Sequence, residues 1–121
     1  MRISGGGEVA SYVYSITEPI INQWYYITGT FGNEGMKLYV NAIHEDNNGF
    51  AGGWTKSINN LLIGSLLGGD RFFNGDIDEF SLWNYAQSES EIQSYMSTPP
   101  MGNEDGLVGY WKFNAGAGST L

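Results

Sequence analysis

Residues 72–92 read FFNGDIDEFSLWNYAQSESEI, and three local signals in that stretch point to the fold. Asn74-Gly75 is turn chemistry, because glycine accepts a positive φ at little cost. A strand is expected from Asp76 to Tyr85. Its side chains should alternate, with Asp78, Phe80 and Leu82 on one face and Ile77, Glu79, Ser81 and Trp83 on the other. Ser88 and Glu91 stand at capping-box spacing, so a helical turn is expected from about Glu89 to Met96, with Ile92, Tyr95 and Met96 on one face. It cannot pass Pro99-Pro100.

Upstream, residues 9–16 are rich in Val, Tyr, Ser and Ile and read as a strand that Glu18-Pro19 breaks. Residues 24–31 and 36–43 form an expected hairpin around Gly32-Asn33-Glu34-Gly35, with Met36, Leu38 and Val40 on the core side. Residues 46–53 (DNNGFAGG) read as a Gly/Asn loop. Residues 57–65 read as another strand, ended by Gly68-Gly69-Asp70.

These segments resemble, in order, the laminin-G-like jelly-roll domains of the concanavalin A-like lectin/glucanase superfamily. Gln23-Trp24-Tyr25-Tyr26-Ile27 is similar to the family's Trp-led strand. Lys37-Leu38-Tyr39-Val40-Asn41 is similar to its LYVNG strand, and Leu62-Ile63-Gly64 to its short LIG strand. Residues 72–92 resemble its "F-x-G-x-IDE" strand and the "W-N-x-A-x-S-x-x-E-I" that follows. The resemblance covers roughly residues 20–96. The expected fold is all-β, a partial jelly-roll β-sandwich of two antiparallel sheets with one short helical turn near the C-terminus.

Composition agrees. The chain has 121 residues, room for one small core, whereas such sandwiches commonly run to about 200. Eighteen glycines and 15% aromatics suit an all-β chain with many turns. Thirteen acidic residues against five basic ones give a net charge of −8, which disfavours nucleic acid and anionic membranes and tolerates calcium best. Without cysteine there is neither a disulfide framework nor a Cys-based zinc site. No run is long enough to cross a membrane as a helix. Residues 1–7 (MRISGGG) carry no signal peptide, which by itself suggests a cytosolic chain, whereas the resemblance implies an exported parent at the cell surface or outside the cell.

The tail departs from a family C-terminus. Residues 106–113 (GLVGYWKF), followed by Asn-Ala-Gly-Ala-Gly-Ser, resemble the family's opening strand. The expected organisation is the C-terminal part of a sandwich domain over residues 1–96, a linker over 97–105, and the first strand of a next repeat over 106–121. That strand is expected either to dock back on the sandwich or to pair with another molecule as a strand-swapped dimer.

Asp78 is the candidate metal ligand. With Phe80 and Leu82 facing the core, alternation carries its carboxylate to the apolar side, where it must be paired, hydrogen-bonded or metal-bound. The resemblance implies structural calcium near this Asp, although the family's first-strand loop carries a Glu where this chain has Ala115. A carboxylate bonded to turn amides is the other reading. Asp76-Ile77-Asp78-Glu79 departs from the "E-x-D-x-E" strand of related glucanases: position i+4 is Phe80, and Glu79 faces away from Asp76 and Asp78, so no catalysis is expected. Phe50 and Trp54 are the aromatics placed to stack on a sugar, with Asn47 and Asn48 as hydrogen-bonding partners, unless Trp54 only covers a sheet end. Trp24, Trp83 and Trp111 are expected in or near the core. His44 is the sole histidine, which excludes multi-His metal sites, and Asp46-Asn47-Asn48-Gly49 lacks the closing Glu of an EF-hand.

The resemblance implies a non-catalytic recognition or adhesion module that binds glycans or proteins. The alternatives are a structural spacer repeat without a ligand and, more remotely, a piece of a glycoside hydrolase.

Overall fold

The computed structural model describes residues 2–3, 11–51, 61–65 and 72–114. The strands are β1 Arg2–Ile3, β2 Ser11–Tyr12, β3 Ile27–Gly32, β4 Gly35–Val40, β5 Ile43–Asn48, β6 Phe80–Trp83 and β7 Leu107–Trp111, with one helix, α1 Glu89–Ser97, between β6 and β7. All pairing is antiparallel: a β3-β4-β5 meander, a β6-β7 ribbon and the two-residue β1-β2 pair. The architecture is all-β with one short helix, as a jelly-roll sandwich requires.

The expected hairpin forms, with Gly32 opposite Gly35 across Asn33 and Glu34. Gly35 takes φ +92°, and a Cβ built on it would land on the Asn48 carbonyl oxygen, so both backbone hand and close approach demand glycine. The second strand ends earlier than expected. Asn41 and Ala42 take φ of 51° and 60°, two consecutive left-handed residues as in a type I′ turn, and the chain reverses into β5. Asn41 holds the corner: its Oδ1 accepts from the Tyr26 amide and its own amide donates to the Tyr26 carbonyl. The DNNGFAGG stretch is corrected accordingly, since residues 46–48 belong to β5 and open structure begins at Gly49.

β4 is buried on both faces. Met36 and Leu38 join Val13 in one cluster, with Phe31 and Phe50 packed against it. Tyr39, of opposite parity, joins Ala42 and Ile92 in a second cluster with Tyr26. Helix α1 thus covers one side of the meander through Ile92, while the stretch through Val13 covers the other.

The reading of residues 9–16 as one strand is corrected within the described residues. Pairing stops at Tyr12, and the chain from Tyr14 to Thr17 runs extended, held by side chains of β5. Residues 61–65 form bends rather than a strand, tied in by the Phe73 amide donating to the Gly64 carbonyl; the rest of that expected strand lies outside the described residues.

The 72–92 stretch holds the largest correction. The strand starts at Phe80, not Asp76. Gly75 forms a bend without using the left-handed region, and Glu79 takes it instead, at φ 51°. Alternation cannot be carried backward through such a residue. Asp78 is therefore exposed rather than turned to the apolar side, and Leu82 is 40% exposed. The capping box forms in full: Ser88 Oγ accepts from the Glu91 amide while the Glu91 carboxylate accepts from the Ser88 amide. Along α1, Ile92 is buried, Tyr95 packs on the Trp83 ring at 4.8 Å, and Met96 faces solvent. Trp83 and Trp111 are half-buried, Trp111 against Phe80, but Trp24 is 65% exposed because β3 starts three residues after it.

Candidate functional site

Five of the described carboxylates, those of Glu45, Asp46, Asp78, Glu91 and Glu104, accept from backbone amides. Glu45, on β5, accepts at Oε2 from the Ser15 hydroxyl and from the Ile16 and Thr17 amides, and at Oε1 from the Thr17 hydroxyl. Those hydroxyls and amides draw its pKa below the ordinary glutamate range. Asp46 accepts from the Tyr14 amide. Two consecutive acids of an edge strand thereby substitute for ladder partners along the stretch that lacks them. Glu104 does the same for the Met101 and Gly102 amides, which lower its pKa.

Two acids of the Asp76–Glu79 run have partners within the fold. Asp78 accepts from the Glu79 amide, and Glu79 accepts from the Tyr110 hydroxyl on β7. Among the described residues no three His, Asp or Glu side chains gather where they could share a metal ion. Asp78, exposed and with one oxygen on a neighbouring amide, does not by itself make the oxygen cage calcium requires, and Ala115 lies outside the described residues.

The residues expected to touch sugar are dispersed in role. Phe50 packs against the Met36 cluster and lies 6.3 Å from the Phe31 ring. The Asn48 side chain accepts from the Phe50 amide and donates to the Tyr12 carbonyl, while Asn47 is exposed on β5. Trp54 lies outside the described residues.

What sequence reading missed is a cleft of about 500 Å³ between the β3–β4 hairpin and the start of α1. The capping box builds one wall and the paired Glu34 and Lys37, 2.6 Å apart, the other. Thr30 and Gln87 line it, 7% and 8% exposed. Gln87 Nε2 is buried without a hydrogen-bonding partner. Gln87 comes close enough to Tyr85 to temper the rise in its hydroxyl pKa, which burial dominates and Glu91 reinforces, yet no hydrogen bond is completed. A signal was available: Gln87 stands immediately before the N-cap, at N′, and Ile92 is N4, the pair that packs as a hydrophobic staple when N′ is apolar.

The family model described as the concanavalin A-like lectin/glucanases superfamily, of laminin-G type, matches residues 1–93. Among curated proteins, Pappalysin-1 of Homo sapiens is 35% identical over 80 residues, covering 63% of this chain and 5% of that protein. Pappalysin-1 of Mus musculus is 34% identical over 82 residues, with the same coverage of each. The chain thus spans only 5% of the length of the curated relatives it matches. No solved structure matches the chain. The cleft lies inside the matched residues, whereas β7 lies beyond them.

Proposed function

The chain belongs to the concanavalin A-like lectin/glucanase superfamily, in its laminin-G-like group, and from that membership we propose a non-catalytic recognition module of an exported, multidomain protein that binds a glycan or an extracellular protein. The engagement of the Asp78 and Glu79 carboxylates within the fold supports the non-catalytic reading. Retaining glycoside hydrolysis needs two carboxyl groups about 5 Å apart on either side of one bond. Here Asp78 serves an amide, Glu79 serves Tyr110, and Glu45, Glu91 and Glu104 serve turns and caps. Carboxylates so engaged support a structural role for these acids.

The short share of the long curated relatives supports a module within a larger chain, and the family supports an exported one. We read β7, outside the matched residues, as the opening strand of a following repeat lying against β6. Glycan-array binding tests the function together with a glucan-hydrolysis assay. Binding to at least one glycan, or capture of an extracellular protein, without release of reducing sugar is the expected result. Hydrolysis that Asp76→Asn abolishes would establish an enzyme. Silence across glycans and proteins by a folded chain would establish a spacer.

A further inference from the structure

We propose that Asn74 is a site of spontaneous covalent modification, passing through a cyclic imide to aspartate and isoaspartate, and that the fold admits this chemistry at Asn74 while withholding it from Asn48. The inference goes beyond the recognition-module reading and does not depend on it. In the first step the Gly75 amide nitrogen attacks Cγ of Asn74, and the new N–C bond closes a five-membered ring. The Cγ–Nδ2 bond breaks, and Nδ2 leaves as ammonia with the proton from the Gly75 nitrogen. Solvent water then opens the ring at either carbonyl. Cleavage at the side-chain carbonyl gives aspartate; cleavage at the main-chain carbonyl gives isoaspartate, with the backbone running through Cγ. Glycine after the asparagine favours closure, because it has no side chain to shield its nitrogen and its backbone turns freely.

The chain holds two Asn-Gly steps, Asn48-Gly49 and Asn74-Gly75, and tertiary structure separates them. Asn48 is the last residue of β5, paired with Met36 and half-buried. Its Nδ2 donates to the Tyr12 carbonyl and its Oδ1 accepts from the Phe50 amide. Its carbonyl oxygen lies where a Cβ on Gly35 would stand. Swinging Cγ onto the Gly49 nitrogen would break the side-chain bonds and pull the strand end out of register. Asn74 has none of these restraints. It stands in the open stretch before β6, without a ladder partner, and its side chain makes no hydrogen bond among the described residues. Both Asn74 and Gly75 are exposed. The neighbouring anchor, the Phe73 amide on the Gly64 carbonyl, leaves the Asn74–Gly75 peptide itself free to rotate. Each conversion replaces a neutral amide by a carboxylate beside Asp76, taking the formal charge from −8 to −9. Isoaspartate also lengthens the backbone by one carbon ahead of β6.

The test ages the full chain in mildly alkaline buffer, one sample folded and one unfolded in guanidinium. Peptide mapping by mass spectrometry follows each asparagine, and isoaspartate is scored by an isoaspartate-specific methyltransferase. In the folded chain Asn74 is expected to convert at least ~10-fold faster than Asn48, whose opening must first break two hydrogen bonds and a ladder pair. In guanidinium the two rates should converge, because each asparagine then meets only its following glycine. Gly75→Ala should slow the reaction at Asn74 and leave Asn48 unchanged. Equal rates in the folded chain overturn the proposal, as does an Asn74 rate that folding suppresses as strongly as that of Asn48. A preference for Asn74 that is undiminished in guanidinium would assign the selection to sequence neighbours and overturn the role of the fold. Aspartate at position 74 without isoaspartate, or a rate that Gly75→Ala leaves unaltered, would overturn the cyclic route.

Discussion

The Tyr110 hydroxyl donates to the Glu79 carboxylate across 31 positions of sequence, tying β7 to the left-handed residue that immediately precedes β6. β6 and β7 are short, with a register shift between Leu82 and Trp83, so one charge-assisted bond at the ribbon's end matters more than it would in a long ladder. Tyr110→Phe is expected to cost about 1–2 kcal/mol in urea unfolding, with the fold retained by circular dichroism. Unchanged stability would remove Glu79 as the anchor of β7.

Deleting residues 106–121 removes β7 altogether, opening the β6 edge and uncovering Phe80, whose ring lies 5.6 Å from that of Trp111. The truncated chain should melt at least ~5 °C lower and self-associate through the open edge. An identical melting temperature with monomeric elution would mean that the tail is not part of this sandwich.

Acid should release the stretch from Tyr14 to Thr17. The folded-state pKa of Glu45 lies below its unfolded value, so its contribution is present above the ordinary glutamate range and is lost as pH falls through the lowered folded value. Hydrogen exchange at the Ile16 and Thr17 amides should accelerate, relative to the intrinsic rate, as pH falls below the ordinary glutamate range, and Glu45→Ala should show that acceleration at neutral pH. Protection that persists in Glu45→Ala would assign these amides to other acceptors.

Met36 is fully buried on the central strand, whereas Met96 on α1 is 42% exposed. Met36→Ala should cost about 2–5 kcal/mol and Met96→Ala less than about 0.5 kcal/mol, read as urea midpoints at constant slope. Similar costs would contradict the placement of α1.

Gly35→Ala forces a side chain into the left-handed region and against the backbone of β5, a loss on the order of 3 kcal/mol. Ser88→Ala, which removes only a cap, should cost about 1 kcal/mol. Equal effects would mean that the hairpin tolerates a change of turn.

Much of the frame was legible because its signals are local. The Gly32–Gly35 hairpin, the buried run of β4 and the reciprocal Ser88–Glu91 cap each depend on residues within a few positions of one another, where spacing translates directly into geometry. Reading failed where one backbone angle changed the phase. Ala42 at a turn and Glu79 before a strand carry side chains that rarely signal a positive φ, so the Asn41-Ala42 reversal and the exposure of Asp78 could not be anticipated.

From its order of residues alone, the chain was bound to make antiparallel strands, one capped helix and the superfamily's core pattern, because alternation, turns and caps act over short distances. Only tertiary packing decided what its polar groups do. The role of a carboxylate or amide is set by whichever donors and acceptors surround it: Glu45 beside Thr17, Glu79 beneath Tyr110, and Gln87 buried at the edge of a cleft with its donor still unmet.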